Sequence, residues 1–151
     1  MNECVDQEVL FLIGEKFQKT LISLELRACN GVDDLGIIGM CERLSSFHDN
    51  QQRSEIEKLT QYPNHFNKSN LEFLNLSDLK TIKDSSMKSI AFNLFNKLQD
   101  LSIWGSILVT DFGFSNLCTT SNPFFKRINY CGCYQISQEN GPIIGENVTE
   151  Y

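Results

Sequence analysis

One spacing recurs four times in this chain and constrains its fold more than any other feature. With Leu21 as position zero of a unit, Leu24, Leu26, Cys29 and Val32 follow at positions three, five, eight and eleven. Leu71 opens the same series with Leu74, Leu76, Leu79 and Ile82; Leu98 with Leu101, Ile103, Ser106 and Val109; Phe125 with Ile128, Tyr130, Cys133 and Ile136. Positions zero, three, five and eleven are apolar or aromatic in all four copies. At 41% hydrophobic content that agreement has a chance probability of roughly one in a million before the choice of frame is discounted. Copies two, three and four start 27 residues apart, the interval of one supersecondary unit.

Each position has a physical reading. Residues three and five of a unit are two apart, so in an extended strand they share a face and their neighbours take the other. Position eight turns inward where the strand ends, and a small thiol or a leucine suits that tight interior. Position thirteen holds Asp34, Asp84 and Asp111, with Gln138 in the last copy, and an aspartate ahead of a periodic apolar run is the expected helix N-cap. The runs Ile37, Met40, Cys41; Met87, Ile90, Ala91, Leu94; and Phe114, Leu117 then fit one helix face. A strand, turn and helix that cannot bury their apolar face alone must stack. The expected fold is α/β: a right-handed solenoid with a parallel concave sheet and convex helices.

Two irregularities interrupt the pattern. Ser45 to Asn70 is polar, carries Pro63 and keeps only Phe47 of the motif, so 45–70 reads as a mobile insertion or degenerate repeat, with a short helix near Ser54 to Gln61. At the start, Val5 falls at position eleven, Gln7 at thirteen, and Leu10 and Ile13 at helix positions. The reading expects the 151 residues to begin inside a repeat, as part of a longer chain, with an uncapped sheet edge. It takes 1–144 as the repeat domain and 145–151 as a frayed tail.

Charge and composition narrow the function. A net charge of −6 with 13 scattered Lys and Arg opposes nucleic-acid binding, which needs clustered cations. Six cysteines in a chain this apolar read as reduced thiols, not a disulfide framework, and the sequons at Asn67, Asn75 and Asn147 are read as unused in a reducing compartment. The first residues match neither a secretory signal nor a transit peptide, and no stretch approaches the roughly 20 apolar residues of a membrane span. His48 and His65 fall in the insertion, and no nucleophile stands beside a base, so no catalysis is expected. Cys131 and Cys133 diverge to opposite faces of one strand and Asp34, Asp84 and Asp111 sit in different units; neither set reads as a metal site, and no cofactor is expected.

The runs "LISLELRACNGVDDLGIIGM", "LQDLSIWGSILVTDFGFSNL" and "FKRINYCGCYQIS" resemble the cysteine-containing class of leucine-rich repeat, found in F-box proteins and their F-box-less relatives. The resemblance covers about two thirds of the chain. It implies a partner or substrate receptor of a cullin-based ubiquitin ligase, in cytoplasm or nucleus, joined to its adaptor through an N-terminal segment not recognisable in this sequence. A narrower likeness, in "QKTLISLELRACNGVDDLGII" and "NLEFLNLSDLKTI", is to mitochondrial ATP synthase factor B (subunit s). That resemblance implies an assembly or coupling factor of the mitochondrial inner membrane.

A binding face follows from strand alternation. Positions two, four and six point out of the concave sheet: Ser23, Glu25, Arg27; Phe73, Asn75, Ser77; Asp100, Ser102, Trp104; Arg127, Asn129, Cys131. Phe73, Asn75, Asp100, Ser102, Trp104, Arg127 and Asn129 are the expected protein-binding residues, with Trp104 as the anchor. The alternative is that Trp104 folds over the turn at Gly105 and packs locally.

Overall fold

The computed structural model describes residues 5–45, 69–94, 97–120, 122–137 and 149–150. Strands and helices alternate through them: α1 (Gln7–Lys16), β1 (Ser23–Glu25), α2 (Asp34–Ser45), β2 (Phe73–Asn75), α3 (Asp84–Asn93), β3 (Asp100–Ser102), α4 (Asp111–Thr119), β4 (Arg127–Asn129) and β5 (Thr149–Glu150). The strands form one parallel sheet in chain order. Its register pairs Leu24 with Leu74, Leu74 with Leu101 and Leu101 with Ile128, so position three of each unit faces position three of the next. β1 pairs directly with β2, and α2 packs directly on α3, although 50 residues separate Leu21 from Leu71. Residues 46–68, which carry most of the stretch read as an insertion together with Phe47, His48, His65 and the proposed short helix, lie outside the described residues.

The inward positions form a continuous core. Leu74, Leu101 and Ile128 are buried, as are Leu26, Leu76 and Ile103 at position five and Val32, Ile82, Val109 and Ile136 at position eleven. The helices close it with Ile37, Met40, Cys41, Met87, Ile90, Ala91, Phe114 and Leu117. Position eight is more specific than a tight fit. The Ser106 hydroxyl reaches the Leu76 carbonyl at 3.4 Å and the Cys133 thiol the Ile103 carbonyl at 3.1 Å. A small donor there gives a carbonyl at the exit of the preceding strand, already bonded to the N–H three residues on, a second hydrogen bond from the next unit.

The aspartates at position thirteen require a correction. They do not cap their own helices; each is the first residue of its helix, and the residue before it takes the cap position. Asp33 accepts the Gly36 N–H at 2.8 Å, Thr110 accepts that of Phe112 at 3.2 Å, and Lys83 supplies no side-chain cap. The position-thirteen carboxylates instead reach the following unit. Asp34 accepts the Lys83 N–H at 2.9 Å, Asp84 that of Thr110 at 2.8 Å, and Asp111 that of Ser137 at 2.7 Å. Asp34 also accepts the Ser86 N–H and hydroxyl and bonds the Ser85 hydroxyl, so the cap that Lys83 lacks comes from the unit before. A sequence window places caps by distance along the chain, whereas these run along the stack.

The turn leaving each strand is also uniform. Ala28, Asp78, Gly105 and Gly132 all stand at position seven, with φ of 54, 60, 70 and 73°. Left-handed backbone is natural for glycine and tolerable for aspartate, and costs alanine most. At the far edge of the sheet Thr149 pairs with Arg127 and Glu150 with Ile128, so these two residues are strand, not the frayed tail expected of 145–151. An apolar-period search passes over them because β5 lies 22 residues beyond β4 and carries no inward leucine. Residues 138–148 lie outside the described residues.

Candidate functional site

The outward positions of the strands form three rows, which the sheet register settles. Ser23, Phe73, Asp100 and Arg127 make the first and Glu25, Asn75, Ser102 and Asn129 the second. Backbone bonds carry the ladder one step further, from Ala28 N–H to the Ser77 carbonyl (2.9 Å), Asp78 to Trp104 (2.7 Å) and Gly105 to Cys131 (2.8 Å). That places Arg27, Ser77, Trp104 and Cys131 in the third row. All seven expected binding residues therefore lie on one face.

Most of the polar groups on this face are engaged with each other. Arg127 is ion-paired to Asp100 in the next strand. The Ser77 and Ser102 hydroxyls are 2.8 Å apart. The Asn75 and Asn129 amide oxygens accept the N–H groups of Ser77 and Cys131, at 3.0 and 3.2 Å, and so brace the strand exits two residues on. A fourth row, at position one, was not read from the sequence. There the Gln99 amide donates to Glu72 at 2.7 Å, while Lys126 donates to the Gln99 carbonyl oxygen at 2.7 Å. Beside Trp104, Lys80 bridges Asp78 (3.0 Å) and the Gly105 carbonyl (2.8 Å).

Trp104 stands out from this lattice. It is 38% exposed, and the Arg27 guanidinium carbon lies 5.5 Å from its ring centroid, reaching from the turn after β1 across the row to the turn after β3. Ser77, between them in the row, is 4% exposed. The ring thus packs locally along one side and still presents surface. Phe73 is half-buried in the first row. The Arg27 stack was legible only as two residues sharing a row; their contact depends on the sheet twist that brings the side chains together.

The chemistry elsewhere is that of a packed interior. Burial pushes the Cys41 thiol up to about 12, and burial also raises Cys118 and Cys133. Such thiols are poor nucleophiles. Cys133 is buried and Cys131 exposed, on opposite sides of the strand exit. Among the described residues no three His, Cys, Asp or Glu side chains group as metal ligands, and no helix is long and apolar enough to cross a membrane.

No protein-family model matches the sequence, and no curated protein matches it. Among solved structures, a chain in the crystal structure of the Rad7 and Elc1 complex in yeast is similar, with a TM-score of 0.45 and 15% sequence identity. The likeness covers 97% of this chain and 44% of that one, so this chain spans less than half its length.

Proposed function

We propose that this chain is a non-catalytic protein-binding module, a right-handed solenoid of cysteine-containing leucine-rich repeats that captures a partner on its concave face. Within that class we assign it the role its repeats imply, recognition of a partner or substrate for a cullin-based ubiquitin ligase in cytoplasm or nucleus. The observation that carries the binding reading is Trp104: a partly exposed aromatic at the centre of a face whose other groups are mostly paired among themselves. A partner gains from covering the indole and disturbs few existing bonds, which is how a buried anchor comes to dominate an interface.

The mitochondrial reading rests on two runs, "QKTLISLELRACNGVDDLGII" and "NLEFLNLSDLKTI". The cysteine-containing repeat pattern extends over about two thirds of the chain and the mitochondrial likeness over less, so the ubiquitin-ligase role is preferred.

Trp104→Ala should leave thermal unfolding unchanged and weaken partner capture at least about tenfold, as loss of a central anchor does. Loss of folding would assign the indole to packing instead. Proximity labelling from the tagged chain in cells tests the wider role: recovery of a cullin and its adaptor supports it, and recovery of inner-membrane ATP synthase subunits favours the mitochondrial alternative.

A further inference from the structure

We propose that Arg27 and Trp104 form a subsite for a single carboxylate, carried next to an apolar residue of the partner protein; this rests on the concave-face reading above. The cations of the face differ in what they touch. Arg127 pairs with Asp100, Lys80 with Asp78 and the Gly105 carbonyl, and Lys126 bonds the Gln99 side-chain oxygen. Arg27 stacks on Trp104 and, among the described residues, meets no carboxylate within ion-pairing distance.

A guanidinium laid over an indole is held in plane, and the N–H groups along its edge stay available for a bidentate carboxylate. Because the stack already orders the side chain, less rotamer freedom is lost on binding. The exposed part of the indole offers the apolar neighbour a place beside it. The surroundings also define what is refused. Glu25, the last residue of β1, lies two residues before Arg27 and Asp78 turns out beyond the end of β2, while the whole chain carries −6. One carboxylate is matched, whereas a run of acids or a polyanion is repelled.

Trp104 is the sole tryptophan of the sequence, so its emission reports occupancy of this subsite directly. The full chain would be titrated with synthetic peptides identical except at a central position between two leucines, where Asp, Asn or phosphoserine is placed, and with a peptide of consecutive Asp residues. The Asp peptide should change the emission saturably and bind at least about tenfold more tightly than the other three, the worth of one charge-assisted pair. Arg27→Gln, with its melting curve unchanged, should bring the Asp peptide down to the Asn peptide's affinity, and Arg27→Lys should restore only part of the gap. Absence of a saturable response to the Asp peptide, equal binding of Asp and Asn peptides, a preference for phosphoserine or for the Asp run, or discrimination that survives Arg27→Gln would each overturn the subsite. If Trp104→Ala abolishes partner capture while Arg27→Gln changes nothing, the carboxylate subsite falls and the concave-face reading stands; if Trp104→Ala leaves capture intact, the concave-face reading falls.

Discussion

At position seven of every unit the backbone turns left-handed, and two units meet that demand with glycine while Ala28 and Asp78 meet it without. An alanine held there costs about 1–2 kcal/mol, against which glycine loses roughly 0.5–1 kcal/mol of chain entropy on folding. Ala28→Gly should therefore raise stability by about 0.5–1 kcal/mol in denaturant titration. Gly132→Ala should lower it by about the same amount, although a Cβ there would find its nearest neighbour at 3.5 Å, because the cost is conformational and not steric. Gly113 is a different case. A Cβ on it would lie 2.3 Å from an Asp84 carboxylate oxygen and 2.7 Å from the Asp84 Cα, so the small residue is needed for α3 and α4 to approach.

At the scale of elements, the helices are tied to one another by the position-thirteen carboxylates. Asp84 accepts both the N–H and the hydroxyl of Thr110, at 2.8 and 2.7 Å. Asp84→Ala should cost about 1 kcal/mol, the usual worth of a cap. Hydrogen exchange locates the effect: protection should fall at Thr110 in the next unit and hold at Ser86 and Met87 of its own helix. Protection lost at Ser86 and Met87 instead would return Asp84 to capping α3. For Asp34, burial raises the carboxyl's pKa, but bonds from the Ser85 and Ser86 hydroxyls and the Lys83 and Ser86 N–H groups outweigh it, leaving a pKa below the ordinary 3.8. A carboxylate so depressed contributes stability that is complete above the unfolded value and is lost as pH falls through the folded one. The native melting temperature should thus fall as pH drops below about 4, and Asp34→Asn should flatten that fall while lowering stability at neutral pH.

For the molecule as a whole, each unit buries its leucines against its neighbours, so damage inside one unit should spread along the stack. Leu101→Ala removes a side chain that is 2% exposed in the middle of the sheet and should cost about 2–5 kcal/mol. Exchange protection should drop in β2 and β4 as well as β3; a loss confined to β3 would mean that the units are not coupled. The outward face of the sheet depends on the same coupling, since Arg27 and Trp104 meet only because β1, β2 and β3 keep a common register.

The amino-acid order by itself determined which side chains turn inward, how the strands align and which residues line the outer rows, because a two-residue strand period and a 27-residue unit are encoded locally and repeated. Only the tertiary structure decided what those rows do with one another. The reach of Asp34, Asp84 and Asp111 into the next unit, the pairing of Asp100 with Arg127, the Arg27 stack on Trp104 and the addition of Thr149–Glu150 to the sheet edge all join residues that lie 22 or more positions apart. Contacts of that kind follow from the distance between stacked units and from sheet twist, quantities that no local window of sequence contains.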